Sequence, residues 1–216
     1  MALELSFEPR EAVFAGRRGE KHLLVRRIEA GDIGAVLALQ QRVSEAMPEP
    51  SQLALIDRED LLETIELDFG LCLLDGNEIV AYTQMVANRS CEGNHGEHFG
   101  FPAEKCVVFD TTFVNPAYRG FGIQQFCIRE RERAAVLLGA EWGFVTVSPQ
   151  NAPSLNNLLA QGFEVHMRGE FYGGRDRYLM KKRLGAGTGR DVGGSDQRTL
   201  SSGLLPKGHC PFGNLA

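Results

Sequence analysis

Positions 113–124, Phe-Val-Asn-Pro-Ala-Tyr-Arg-Gly-Phe-Gly-Ile-Gln, join an apolar β-rich run to a helix-spaced one through a turn and two glycines. A strand feeding a helix in this way demands a mixed architecture, because the helix must pack back on a sheet. The junction also leaves the first N–H groups of the helix, and the positive end of its dipole, at the end of the sheet. That arrangement receives phosphate groups; a helix start with glycines for close packing has the same sequence. Two common phosphate loops do not fit. Walker A requires Gly-Lys-Ser/Thr, and a dinucleotide fingerprint requires a small residue where Gln125 stands.

The rest of the chain alternates in the same manner. Residues 22–28 form a β-rich run, and Asp32 is placed to cap a helix carrying Ile33, Val36, Leu37 and Val43. After the break at Pro48 and Pro50 a second helix is predicted from Asp57, with Ile56 and Leu61 as a hydrophobic staple and Leu61, Leu62, Ile65 and Phe69 as its apolar face. Residues 71–74 and 78–86 flank the turn Asp75-Gly76-Asn77 as a β-hairpin. A long loop is expected over 88–104, a strand over 107–114, and a helix from about 120 to 138 that stops at Gly139. A strand at 144–147, a helix at 152–160 punctuated by Gly162, and strands near 163–167 and 178–182 complete the order βααβββαβαββ.

The phosphate-loop segment resembles the Arg/Gln-x-x-Gly-x-Gly/Ala motif of the GNAT superfamily of N-acetyltransferases, with Arg119, Gly122 and Gln124 in those places and Gln124 replacing the final Gly or Ala. A second block is similar too: Asn151, Ser154 and Gly162-Phe163 match the Asn, small residue and Gly-Phe of that family's fourth helix. The resemblance covers roughly 22–184. It implies a mixed α/β fold whose central twisted, mainly antiparallel sheet splays in the middle. It further implies acetyl-coenzyme A (acetyl-CoA) as cosubstrate, without a metal, and direct transfer of the acetyl group to an amine. Arg119, Gly120, Phe121, Gly122, Ile123 and Gln124 would then hold the pyrophosphate, Phe113 and Val114 the pantetheine arm, and Asn151 and Ser154 the far side of the thioester. Many relatives carry a tyrosine seven residues after the Asn; this chain has Leu158.

The candidate catalytic residues are Asp110, Ser154 and Tyr172. Asp110 is either a general base or half of a surface ion pair, and Ser154 and Tyr172, with Asn157, are substitutes for the missing acid. His95 and His98 are further base candidates that, in a Gly-rich loop, are expected to face solvent. Tyr172-Gly173-Gly174-Arg175 reads as a tight hairpin or an acceptor contact. Eight acids lie between Glu45 and Asp68 against one base, Arg58. They form a solvated helix face or a wall that concentrates a cationic amine.

The organisation expected is an N-terminal extension (1–21), a GNAT-like domain (22–184) and a Gly-rich tail (185–216) in which Leu204, Leu205, Phe212 and Leu215 offer anchors for the domain or for a homodimer. A net charge of −5 disfavours general nucleic-acid binding. No apolar run is long enough to span a membrane, and the acidic N-terminus lacks signal-peptide character, so a cytoplasmic protein is expected. Cys72, Cys91, Cys106, Cys127 and Cys210 form no paired motif, which fits reduced thiols. These readings predict an N-acetyltransferase of a small primary amine. The alternatives are a protein N-acetyltransferase and an acyl-CoA-binding regulatory module without turnover.

Overall fold

The computed structural model describes residues 5–185. Nine strands and five helices follow one another along it. The first strands are β1 (Arg10–Gly16) and β2 (Gly19–Arg27), followed by helices α1 (Ile33–Glu45) and α2 (Arg58–Leu67) and by the hairpin β3 (Phe69–Asp75) and β4 (Glu78–Met85). Next come the single turn α3 (His95–His98), the short strands β5 (Cys106–Val108) and β6 (Thr112–Val114), and helix α4 (Ile123–Leu137). Strand β7 (Trp142–Val147), helix α5 (Ala152–Ala160), and strands β8 (Glu164–Phe171) and β9 (Arg175–Arg183) complete the described chain. The fold is mixed α/β, with the mainly antiparallel sheet expected.

Strands β1-β2-β3-β4-β6 form one sheet and β5-β7-β9-β8 a second. Helices cover both faces, so β3 and β4 are buried almost throughout and read as near-continuous apolar runs. On one face, Leu71, Leu73, Ala81, Val145 and Val147 pack against Ile123, Cys127, Ile128 and Leu158 of α4 and α5. On the other, Cys72, Tyr82 and Phe113 meet Ile33, Val36, Leu39 and Leu61 of α1 and α2. Each such fully buried aliphatic side chain contributes about 1.5–3 kcal/mol through loss of apolar contact with water.

Strand β5 belongs to the second sheet and touches the first at one point. It pairs in parallel with β7 (Val107↔Gly143), and through Val86↔Val108 it also bridges the end of β4. The Phe109 amide makes the last link to β7, to Phe144 O at 2.7 Å. The chain then swings back to β4, where Gln84 N donates to Thr111 O, and β6 continues on β4 alone. No ladder joins β6 to β7 among the described residues, so the two sheets diverge between them.

Several expectations are corrected. Residues 10–16 are a strand, not part of an extension, and the boundary at 22 falls inside β2. Only Phe14 of β1 is buried, against Phe126; backbone pairing rather than an apolar pattern holds this edge strand. The run 107–114 is broken at 109–111, because β7 claims its first half and β4 its second. Helix α4 begins at Ile123 rather than near 120, since Gly120 (φ 85°) and Gly122 (φ 74°) are left-handed. Asp32 caps no helix by its side chain; it accepts from Glu29 N and pairs with Arg26 instead. Phe69 opens β3, and the 88–104 stretch contains α3. Asp57 does cap α2, in a reciprocal box with Asp60, and Ile56 and Leu61 share its core cluster. The tail beyond 185 and its anchors lie outside the described residues.

Candidate active site

The divergence of β6 from β7 opens a cavity of about 90 Å³. Its walls are residues 109–113 and 145–148; Gln124, Asn151, Ser154 and Leu158 close it on the α4/α5 side and Gln52, Leu53 and Ala54 on the α1/α2 side. At one end lies the start of α4. The first intrahelical donor is Phe126, to Gly122 O at 3.0 Å, so the amides of residues 122–125 precede the ladder and turn toward the loop. A Cβ on Gly120 would meet nothing within 4 Å and one on Gly122 only Gln125 Oε1 at 3.6 Å. Glycine is therefore required there by backbone conformation rather than by crowding.

The residues expected at a cofactor fall into two groups. Phe121 and Ile123 bury their side chains in the core and Phe113 packs beside Tyr82, so these three offer a ligand only backbone. Gln124 is fully engaged: Nε2 donates to Ser154 Oγ at 2.9 Å, and Oε1 accepts from Asn157 Nδ2 at 2.7 Å. Gln125 Nε2 donates to Asn157 Oδ1 at 3.1 Å. These amides lock α4 to α5, which explains a glutamine where the resembling family has Gly or Ala. Asn151 caps α5, accepting from Ser154 N at 3.3 Å, while both residues line the cavity. Val114 is half-buried on the open edge of β6, and the Arg119 side chain is exposed at the loop.

Asp110 occupies the bend between β5 and β6 and lines the cavity. Its Oδ2 accepts from Gln84 Nε2 at 2.5 Å, and Gln84 Oε1 accepts in turn from Tyr82 Oη at 2.7 Å and Thr64 Oγ1 at 3.3 Å. Burial raises the Asp110 carboxyl above the usual range; the bond from Gln84 and the charge of Arg131 oppose this. Arg131 is itself buried, stacked 4.8 Å from the Phe109 ring centroid and donating to Gln84 O, and desolvation brings it down to about 10. Asp110 is thus part of an internal polar chain and not a surface pair.

Ser154 and Tyr172 are not brought together. Tyr172 lies at the β8–β9 turn, at φ 50°, and its Oη pairs with Thr146 Oγ1 at 2.9 Å and His95 Nε2 at 3.1 Å. Only Thr146 of these three lines the cavity. His98 is exposed as expected, but His95 is 8% exposed, packed against Phe171 and Tyr172, with Nδ1 unsatisfied. Burial pulls its imidazole down to about 4 from an ordinary 6.5. Between those values the unfolded chain binds a proton that the folded chain refuses, so stability falls as pH drops from 6.5 toward 4. The expected loss is about 3 kcal/mol. Urea unfolding across this window should show it, with the slope much reduced in His95→Gln.

Half of the acidic block is engaged in local caps and ion pairs. Glu63 and Asp68 pair with Arg89, and Asp57 and Asp60 form the α2 cap. Among the described residues no group of three or more His, Cys, Asp or Glu is placed to hold a metal, and no helix is long and apolar enough to cross a membrane. Burial raises the thiols of Cys106 to about 11 and Cys127 to about 12, which keeps them protonated.

Three features escaped the sequence reading. Arg175 Nη1 donates to Leu53 O at 2.6 Å and Arg177 Nη2 to Ser51 O at 2.8 Å, tying β9 to the α1–α2 connection. Gln84 and Arg131 support Asp110. Arg17 and Arg18 form the β1–β2 turn, whose only sequence signal was a two-residue loop between Gly16 and Gly19.

The described chain superposes on many solved acetyltransferases. The chain has the GNAT fold. The GNAT domain of S. lividans PAT superposes with a TM-score of 0.59 at 18% identity, covering 81% of this chain and 97% of that one. The Salmonella typhimurium protein yncA, solved with its cofactor acetyl-CoA, gives 0.58 at 16% identity, covering 79% and 98%. The ribosomal-protein-S18-alanine N-acetyltransferase from Escherichia coli gives 0.57 at 14%, covering 77% and 97%. No family model matches the sequence, and no curated protein does. Of the junction at 113–124 and the block at 151–163, Phe113, Gln124, Asn151, Ser154 and Leu158 line the one cavity.

Proposed function

We propose that this GNAT-fold chain is an acetyl-CoA-dependent N-acetyltransferase that acts on a small primary amine by direct attack in a ternary complex. The observation that carries this reading is the cavity between β6 and β7, whose lining includes Gln124 of the first turn of α4, beside the amides that precede the helix ladder. Residues 119–124 fit the phosphates of acetyl-CoA and the open edge of β6 its amide-bearing arm, while Asn151, Ser154 and Leu158 border the reacting end. When bound, acetyl-CoA supplies an activated acyl group whose thiol, with an ordinary pKa of about 8.5, leaves readily. Asp110 accepts the proton that an attacking ammonium must shed, and its raised pKa moves it toward that of the amine. Gln84 Nε2 fixes the carboxylate in place, and Arg131 holds the Gln84 backbone carbonyl beside it.

The ties from Arg175 and Arg177 to Leu53 and Ser51 favour a small acceptor over a polypeptide, because they join the two walls that a peptide would have to pass between. Leu158, 2% exposed on the cavity wall where many relatives have an acid, favours the second reading of a binding module without turnover. Thiol release from acetyl-CoA across a panel of amines and peptide N-termini decides. Release with small amines alone is expected. Release with peptides alone would make it a protein acetyltransferase, and tight binding with no release a binding module.

A further inference from the structure

The turn between β1 and β2 presses on the phosphate loop. A Cβ added to Gly16 would lie 2.8 Å from Phe121 Cδ1 and 2.9 Å from Gly120 O, so only glycine permits the approach. Arg18 fastens it: Nη2 donates to Ala117 O at 3.0 Å and Arg119 O at 2.6 Å, and the guanidinium stands 5.3 Å from the Phe121 ring centroid. A hollow of about 480 Å³ results, lined by Arg17, Arg18, Arg119, Gly120 and Phe121. Three guanidinium groups therefore share one concavity with no carboxylate in its lining, on a chain whose acids outnumber its bases. Arg18 is spent on backbone carbonyls. Neither the Arg17 nor the Arg119 side chain has a partner among the described residues. Like charges so gathered repel one another until an anion enters, and an arginine fork fits a phosphate through two donors.

We infer that this hollow is a second anion seat, in which Arg17 of the first hairpin grips the terminal 3′-phosphate of the coenzyme A nucleotide. The inference rests on the acetyl-CoA reading above and deepens it. The α4 start can serve the pyrophosphate; the hollow adjoins it through Arg119, Gly120 and Phe121, outside the β6/β7 cleft. A phosphate monoester carries about −1.5 to −2 charges near neutral pH, against one on each phosphate of the diester-like pyrophosphate. The guanidinium groups of Arg17 and Arg119 match that dianion, and no hydrogen bond or ion pair engages the Arg17 side chain among the described residues.

The test is calorimetric titration of acetyl-CoA and of acetyl-dephospho-CoA, which lacks only the 3′-phosphate, into the unaltered protein and Arg17→Ser. The unaltered protein is expected to prefer acetyl-CoA by about tenfold or more, the effect of a charge-assisted contact, and to lose that preference as salt is raised. In Arg17→Ser, acetyl-CoA should weaken by a similar factor while the dephospho form is unchanged and the melting temperature holds. Equal affinity of the unaltered protein for both nucleotides overturns the inference and leaves the acetyl-CoA reading standing. So does an Arg17→Ser loss that falls equally on both. Binding of neither nucleotide overturns both.

Discussion

Gly122→Asp will abolish the rise in melting temperature that saturating acetyl-CoA gives the unaltered protein. Ligand at 100 times its Kd stabilises a protein by about 2.7 kcal/mol, which is several degrees in a domain of this size. Gly122 has φ 74° and precedes the amides at the start of α4. A carboxylate there would stand against the phosphates and compete for the same donors. There is room for its Cβ, since the nearest outside atom, Gln125 Oε1, lies at an ordinary contact distance of 3.6 Å. Asp and Asn enter the left-handed region more easily than other L-residues, so Gly122→Asn supplies the control: the same backbone demand without the charge. The neutral variant should keep part of the shift. If the aspartate variant keeps all of it, the phosphates do not sit at this helix.

Asp110→Asn carries the second large effect. The amide cannot take a proton from the amine, so kcat should fall by about 100- to 1,000-fold, within the range of general-base contributions. KM for acetyl-CoA should stay near its original value, and the acidic limb of the kcat/KM profile should disappear. Stability should move the other way. The folded carboxyl titrates above its unfolded value, so the stability it contributes is full at low pH and is lost as pH rises through the folded pKa. Asparagine retains an acceptor for Gln84 Nε2 and carries no buried charge. The variant should therefore melt higher than the unaltered protein at pH 7, with the advantage shrinking toward pH 4. A purely structural Asp110 would predict a lower melting temperature and an unchanged pH profile.

The sequence disclosed what is decided within a few residues. The Asp57 cap with Asp60, the staple of Ile56 with Leu61, and the glycines at 120 and 122 are local devices, and each stands where the pattern placed it. The α5 cap by Asn151 is equally local, although residue 151 was read only as a cofactor contact. What stayed hidden is decided between distant segments. The bend at Asp110 arises because β4 and β7 compete for one apolar run, and no periodicity within 107–114 records that contest. Arg175 and Arg177 reach carbonyls 122 and 126 positions earlier. His95 looked like a loop residue, yet its surroundings are aromatic rings from a hairpin far along the chain. Edge strand β1, with one buried side chain, is held by a ladder that every backbone can make.

The seam formed by β5 has a mechanical meaning. Two sheets share a fastening at one end, around Val86, Val108 and Phe109, and run apart at the other, like covers bound along a short spine. Turning one cover against the other widens or narrows the gap while leaving every ladder within each sheet whole. The interlocked amides of Gln124, Gln125 and Asn157 join α4 to α5, and the arginine ties to Ser51 and Leu53 join β9 to the α1–α2 connection. A guest that needs more room between these walls has two arginine ties to stretch or break, while the ladders within each sheet stay whole.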